Sequence, residues 1–111
     1  MSLNILAKKY FKFFSKKKIT SLEKMFAKNI VLRDWNIHVK GKKKVVEANK
    51  KIFRDCKTIN VTPTKLHVLN NTVLAEIEIV IDKKKILVLD ILKFNRKNEI
   101  INIKAYLGSK L

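Results

Sequence analysis

The second half of the chain reads almost entirely as β structure, and this constrains the fold more than any other feature. From residue 58 onward, segments rich in Val, Ile and Leu are separated by turn residues. They predict strands at 58–69, 72–82, 86–95 and 99–108. Short turns between successive strands require antiparallel neighbours. Because Pro63 cannot donate a ladder hydrogen bond, its strand is predicted to lie at an edge of the sheet or to contain a bulge.

The first half of the chain carries helical periodicity. Apolar residues at helical spacing predict a helix over 3–16, and the capping-box pattern Thr20-Ser21-Leu22-Glu23 places the start of a second helix at Thr20. Residues 30–39 are predicted to form a strand, Gly41 breaks the chain, and residues 42–56 form a third helix. This order indicates an α+β fold in which three helices pack on one face of a curved antiparallel sheet.

Length and composition fit a single domain spanning residues 1–111. The chain has 111 residues, of which 47% are hydrophobic, and this is enough for one core. The longest apolar runs are far shorter than the ~20 residues that cross a bilayer. Lysines interrupt the first apolar stretch at once, so neither a membrane span nor a signal peptide is expected. We therefore expect a cytoplasmic protein.

The formal net charge of +17 invites comparison with nucleic-acid-binding proteins. However, only three of the 26 basic residues are arginines, the residue type that nucleic-acid sites favour. The lysines are dispersed along the chain, which is typical of a solvated surface, and a nucleic-acid partner is not expected. A contiguous lysine face would instead indicate an anionic partner, with a steep salt dependence of binding.

The sequence contains no recognisable motif for a metal or a cofactor. The single cysteine, Cys56, falls at the end of a helical pattern and is expected to pack as a small hydrophobe. No cluster of Cys and His has metal-ligand spacing. Two glycines are too few for a phosphate-binding loop. We expect neither a metal nor a cofactor.

The strand over 86–95 places one carboxyl group on an apolar face. A hairpin that pairs Ile81 with Ile86 would set Asp90 opposite Ile77, among aliphatic side chains. An ionised carboxylate there is costly, so Asp90 is expected to stay protonated or to find a partner. Two interpretations remain open: a hydrogen-bond donor in a pocket, or a carboxyl group bonded to a buried tyrosine or a backbone amide.

Residues at both ends of the chain show a spacing found in a known group of enzymes. One C-terminal stretch runs Leu89-Asp90-Ile91-Leu92-Lys93-Phe94-Asn95, and the stretch 99–108 ends in Lys-Ala-Tyr-Leu-Gly. Tyr10 in the first helix precedes Asp34 by the interval that separates the tyrosine and the general base of that group. Gly41 matches the glycine that opens its third helix. The chain thus resembles the ketosteroid isomerase and SnoaL-like family of the nuclear-transport-factor-2-like (NTF2-like) superfamily.

The resemblance implies an NTF2-like cone with one apolar pocket and no cofactor. Asp34 would remove a proton α to a ketone, while Tyr10 and a neutral Asp90 would donate hydrogen bonds to the enolate oxygen. A small hydrophobic substrate would contact Phe14, His38, Phe53, Leu92, Ile103 and Leu107. The apolar members of this set also suit an ordinary core, since the pocket of such a fold is the unfilled end of the core.

The segment after Asp34 adds two further expectations. If Asp34 points inward along a strand, Asn36 and His38 point the same way and Trp35 points to the opposite face. His38 would then be either an extra acid or base at the pocket mouth or a structural histidine. The chain departs from the family at Trp35, where proline is usual, and at Lys17-Lys18, where Gly-Asp is usual.

Three functional interpretations follow from these observations. The leading one is a steroid Δ-isomerase-like enzyme that transfers a proton on a small hydrophobic ketone and forms a homodimer through its outer sheet face. The second is a non-catalytic module that binds a small ligand or dimerises, and a pocket filled by side chains would favour it. The third is an anion-binding or nucleic-acid accessory protein, which requires a contiguous lysine face.

Overall fold

The helices and strands follow the order predicted from the sequence, with one additional strand. The computed structural model describes residues 2–111. In that part of the chain the helices are α1 (Leu3–Ser15), α2 (Ile19–Met25) and α3 (Lys42–Asp55). The strands are β1 (Phe26–Arg33), β2 (His38–Lys40), β3 (Ile59–Leu69), β4 (Thr72–Ile81), β5 (Lys84–Phe94) and β6 (Ile100–Lys110). The predicted α+β class is confirmed.

The strands form an open mixed sheet rather than a purely antiparallel one. Across residues 2–111 the strand order is β2-β1-β6-β5-β4-β3, and every neighbouring pair is antiparallel except β1 and β6. The antiparallel prediction was wrong at this pair because α3 and four strands, rather than a short turn, separate β1 from β6 in the chain.

The helices pack on the inner face of the sheet and bury its apolar side chains. Phe11, Phe26 and Phe94 are among the largest side chains that are almost completely buried there. Val73, Ala75 and Ile77 are buried and alternate along β4 with less buried, outward-facing residues, as a half-buried strand requires. Among the described residues, no helix is long and apolar enough to cross a membrane.

The strand predicted over 30–39 is two strands joined by a tight reversal. β1 ends at Arg33, and the side chain of Asp34 then accepts hydrogen bonds from the backbone N–H groups of Asn36 and Ile37, both at 2.7 Å. An aspartate that binds the backbone two and three residues ahead stabilises a turn in place of an extended chain. The alternation predicted beyond Arg33 was therefore wrong.

The capping box predicted at Thr20 was also wrong. Helix α2 begins at Ile19, so Thr20 lies inside it, and its N-cap residue Lys18 makes no side-chain cap hydrogen bond. The chain reverses directly before this point, where Lys17 has a φ of 55° and the N–H of Lys18 bonds to the carbonyl of Phe13. The end of α1 therefore sets the start of α2.

The β4–β5 hairpin is tighter than predicted. Ile81 pairs with Lys84 rather than with Ile86, across a two-residue turn whose φ angles are 47° and 77°. Two positive φ values are typical of the turn that matches the twist of a hairpin. Asp90 consequently lies opposite Ala75. Because the register differs from the prediction by an even number of residues, Asp90 stays on the predicted apolar face.

Both predictions made from Pro63, an edge strand and a bulge, are confirmed. β3 is an edge strand of the sheet, and its pairing with β4 shifts register between Pro63 and Lys65. Proline has no N–H group to donate, and this costs little at an edge strand where the hydrogen bonds between β3 and β4 are already interrupted.

Lys17 ties the end of α1 to the end of α3. Its ammonium group donates to the carbonyl oxygens of Phe53 (2.9 Å), Cys56 (2.6 Å) and Lys57 (3.1 Å). The last carbonyls of a helix lack intrahelical partners and attract a positive charge. Lys17 therefore has a structural role in this chain.

Replacing Lys17 with Met is expected to lower the free energy of unfolding by about 2 kcal/mol, because three charge-assisted hydrogen bonds are lost. Denaturant unfolding measures the change. Lys18→Met is the matched control, since the Lys18 side chain is exposed. Equal stability of the two variants would show that the Lys17 contacts contribute nothing.

Candidate active site

A cavity of about 240 Å³ lies between the inner face of the sheet and the helices α1 and α3. Helix α1 contributes Tyr10, Phe11 and Phe14, helix α3 contributes Asn49 and Ile52, and the turn after β1 contributes residues 34–37. The sheet supplies an apolar floor: Leu32, Ile59, Val61, Ile77, Ile79, Ile81, Ile86, Val88, Ile103 and Ala105. The cavity is therefore apolar, with a few polar groups placed around it.

Tyr10 brings a buried hydroxyl group to the cavity. Its side chain is held by edge and tilted contacts with Phe11 and Phe14, whose ring centroids lie 5.4 Å and 5.9 Å away. Its hydroxyl makes no hydrogen bond with any residue in the range 2–111. Burial, followed by the negative charge of Asp90, raises the pKa of Tyr10 well above its usual value. The phenol therefore stays protonated and can donate a hydrogen bond to a ligand.

Asp90 brings a buried carboxyl group to the cavity from the middle of β5. Burial, followed by the charge of Asp34, raises the pKa of Asp90 to about 7. Within the described chain its carboxyl group has no hydrogen-bond partner, so the bonded alternative is not what the structure shows. Its neighbours across the two adjacent strands are Ala75 and Ala105. These short side chains leave room for a ligand above the carboxyl group.

Asp34 lies half-buried at the cavity, where the turn after β1 holds it. Its Oδ1 accepts the N–H groups of Asn36 and Ile37, and its own N–H donates to the carbonyl of Ile37 at 2.8 Å. One carboxylate oxygen is thus fixed by the backbone, whereas Oδ2 has no protein partner among residues 2–111. The turn sets the orientation of this carboxylate relative to the cavity.

The residues predicted to contact a substrate fall into two groups. Phe14 and Ile103 line the cavity. Phe53 lies behind Phe14, with ring centroids 4.8 Å apart, and Leu92 is completely buried in the core, so neither reaches the cavity wall. Leu107 is half-buried but does not line the cavity, whereas Ala105, two residues earlier on β6, does.

His38 lies outside the cavity because the chain turns after β1. It is exposed on β2, paired with Arg33, and the strand alternation that would have turned it inward does not exist. Trp35, which the same alternation sent to the opposite face, lines the cavity with Asn36. Aspartate as a turn-forming residue was the available signal for this reversal.

Asn49 is the polar cavity residue that the sequence reasoning missed. It is 2% exposed and lies one helical turn from the buried residues Val45 and Phe53. An amide in the apolar stripe of a helix was therefore a signal already present in the sequence. Over residues 2–111, no group of three or more His, Cys, Asp or Glu side chains is arranged to hold a metal ion.

This arrangement suits the chemistry of an enolate. Tyr10 and protonated Asp90 are two neutral donors without protein partners, and they face the same cavity as the carboxylate of Asp34. Two donors can hold a developing negative charge on a carbonyl oxygen, and a carboxylate nearby can take a proton from the adjacent carbon.

Comparison with solved structures decides the fold. An NTF2-like protein of unknown function from Cytophaga hutchinsonii matches with a TM-score of 0.83 at 15% identity, covering 97% of this chain and 91% of its own. The chain has the NTF2-like fold. A SnoaL-like protein of unknown function from Burkholderia thailandensis matches this NTF2-like chain with a TM-score of 0.84 at 11% identity, covering 96% and 93%. A "putative ketosteroid isomerase" from Kribbella flavida matches with a TM-score of 0.83 at 11% identity, covering 95% and 76%.

At these identities the likeness concerns the fold, and the expected NTF2-like architecture is confirmed. No family model and no curated protein matches the sequence. A shared fold does not determine the chemistry of a site, which depends on the residues of this chain.

The raised pKa of Asp90 predicts a pH-dependent stability. In the folded chain Asp90 keeps its proton up to about pH 7, whereas in the unfolded chain it loses the proton near pH 3.8. The free energy of unfolding therefore decreases as the pH rises from 3.8 to about 7. Compared with native protein, Asp90→Asn should become more stable by roughly 2–4 kcal/mol as pH rises from about 4 to about 8. Denaturant unfolding at each pH measures the difference.

Asp82 supplies a control of opposite sign. Backbone hydrogen bonds, chiefly from Thr58, lower the pKa of Asp82 below its usual value. The stability it contributes is therefore present at neutral pH and is lost in acid. The difference in the free energy of unfolding between Asp82→Asn and the native protein should therefore shrink as the pH falls. A stability difference for Asp90→Asn that is constant with pH would contradict the assignment of a protonated buried carboxyl group.

Proposed function

We propose that this protein is a cofactor-independent enzyme that transfers a proton at the carbon α to a ketone, through an enolate. One observation carries the proposal: Tyr10 and Asp90 are buried donors without protein partners beside the Asp34 carboxylate. Buried polar groups in proteins are normally hydrogen-bonded, so two orphans that face one cavity indicate a ligand oxygen between them. The NTF2-like fold, shared with proteins described as isomerases, agrees with this chemistry.

In the proposed reaction Asp34 takes a proton from the α-carbon and returns it to the γ-carbon. The ketone oxygen becomes the enolate oxygen and is stabilised by hydrogen bonds from Tyr10 and protonated Asp90. The turn that fixes Oδ1 of Asp34 leaves Oδ2 as the proton acceptor. The apolar floor strengthens these interactions because it excludes water.

The cavity volume supports a substrate smaller than a steroid. Pockets for drug-sized ligands usually measure ~300–1,000 Å³, and this cavity measures about 240 Å³. We infer a ketone with one or two rings. Steroid isomerisation, the activity implied by the family resemblance, is therefore the less favoured form of the proposed reaction.

Turnover of a β,γ-unsaturated ketone tests this proposal. Cyclohex-3-enone and a bicyclic counterpart should be converted to conjugated enones, which is followed by their growing ultraviolet absorbance. Asp34→Asn keeps an oxygen for the turn but cannot act as a base, so turnover should be abolished. Tyr10→Phe should reduce the rate by ~10²–10³-fold, because one donor to the enolate oxygen is lost.

His38→Asn is the matched control and should leave turnover unchanged, because His38 is exposed on β2 outside the cavity. Unaltered turnover in Asp34→Asn would show that the base is wrongly assigned. Tight binding of the conjugated enone without turnover of either substrate would favour the alternative function, a non-catalytic ligand-binding module of the same fold.

We also propose that two copies associate through the outer face of the sheet, in the cytoplasm. The single cysteine suits a reducing compartment. The outer face carries Leu89 beside Tyr106, which is 56% exposed, and Leu74 beside Ile91. An exposed apolar patch of this kind is typical of an interface. Lysines occur on all three helices and on every described strand except β4, and this dispersion argues against nucleic acid as the partner.

A charge placed on this face should separate the copies. Tyr106→Lys is expected to sediment as a monomer at concentrations where the native protein is a dimer, because the lysine would be buried against apolar side chains. Ile5→Lys, which changes an exposed apolar residue on α1, should leave the dimer intact. A native protein that is monomeric at about 100 μM would refute the proposed interface.

A further inference from the structure

Asn49 presents an amide group that the proposed reaction does not use. Its side chain is 2% exposed, yet it lines the cavity from α3, and its Nδ2 is buried without a hydrogen-bond partner. Neither of its side-chain polar atoms bonds to any residue in the range 2–111. The amide is therefore an unpartnered polar group at the wall of an apolar cavity.

The position of Asn49 makes an unpartnered amide costly. It lies one turn after Val45 and one turn before Phe53, both of which are buried, so packing alone would be served by a leucine. An unpaired buried amide costs about 1–3 kcal/mol of stability. Such a group is explained when its partner is a bound molecule rather than the protein.

The amide lies on a different wall of the cavity from the donor that α1 supplies. Tyr10 projects from α1 and Asp90 from the sheet, whereas Asn49 projects from α3. The rings of Phe14 and Phe53 pack together where α1 meets the second half of α3, and Asn49 lies one turn before this contact. A ligand that fills the cavity is thus offered polar groups from separate elements.

We propose that Asn49 binds a second oxygen of the ligand, apart from the ketone that Tyr10 and Asp90 hold. The ligand is then a one- or two-ring ketone with a further carbonyl or hydroxyl group. An amide can meet either group, since it both donates and accepts and can rotate to exchange its two ends. The position of the ketone rests on the proposed function, whereas the contact of Asn49 with a second oxygen does not.

Binding of matched bicyclic enones tests the proposal. One probe is hexahydronaphthalenone, and the others are its derivatives with a second ketone at different positions on the far ring. Trp35, the only tryptophan of the chain, lines the cavity and reports binding through its fluorescence. The native protein should bind at least one enedione about 3- to 10-fold more tightly than the plain enone, as one additional hydrogen bond provides.

Asn49→Leu should abolish this preference while retaining affinity for the plain enone. Asn102→Leu is the matched control: Asn102 also has a buried side-chain atom without a partner, Oδ1, but it does not line the cavity, and its variant should keep the preference. Without ligand, Asn49→Leu should unfold at a higher temperature than the native protein, because an unpaired amide is removed.

Three results would overturn the proposal. The first is a preference that survives in Asn49→Leu, the second is the absence of a preference for every enedione, and the third is a lower unfolding temperature for ligand-free Asn49→Leu. Because these measurements concern binding and stability, they remain decisive if no ketone is turned over. Failure of the proposed reaction is recognised separately, by turnover that does not depend on Asp34.

Discussion

A carboxyl group on the inner face of β5 is the constraint on which the rest of the site depends. An ionised group cannot be buried among aliphatic side chains without a partner, and Asp90 has none in the described chain. Its pKa is therefore raised to about 7, so that it is held as an acid below that pH. The alanines beside it on both neighbouring strands keep the space above it open. The same burial keeps the Tyr10 phenol protonated, so one apolar environment creates both donors.

The short connection between α3 and β3 is held by side chains from two other parts of the chain. Lys17 donates to the carbonyls of Cys56 and Lys57, while the carboxylate of Asp82 accepts the N–H groups of Lys57 and Thr58, both at 2.9 Å. One residue from the end of α1 and one from the β4–β5 turn thus satisfy the same short connection. Because Ile81, directly before Asp82, lines the cavity, this junction also positions one end of the floor.

Much of the fold, and the apolar face on which Asp90 lies, could be predicted from periodicity, whereas Tyr10 and Asp34 were singled out by a spacing that resembles that of a known enzyme family. Strand alternation placed Asp90 on the apolar face even though the hairpin register was wrong, because an even shift preserves the face. The predictions failed where a side chain competes with the regular backbone. Asp34 ends β1 by binding its own turn, which alternation cannot foresee, and this moved Trp35 into the cavity and His38 out of it. Leu92 and Leu107 were misplaced because periodicity gives the face of a strand but not the depth of a residue within the core.

The parallel pairing of β1 with β6 also determines the order in which the chain can fold. Strands β3 to β6 follow one another through short turns and can zip together from local contacts, whereas Val31 must find Asn102 across most of the chain. Closing such a long loop is entropically costly, so distant pairings form late in folding. The floor beneath Asp90 therefore assembles first, and β1, which directly precedes Asp34, docks onto its border afterwards. The Asp90 carboxyl group is thus positioned before the Asp34 carboxylate, and the cavity is completed only when β1 and the turn after it have docked.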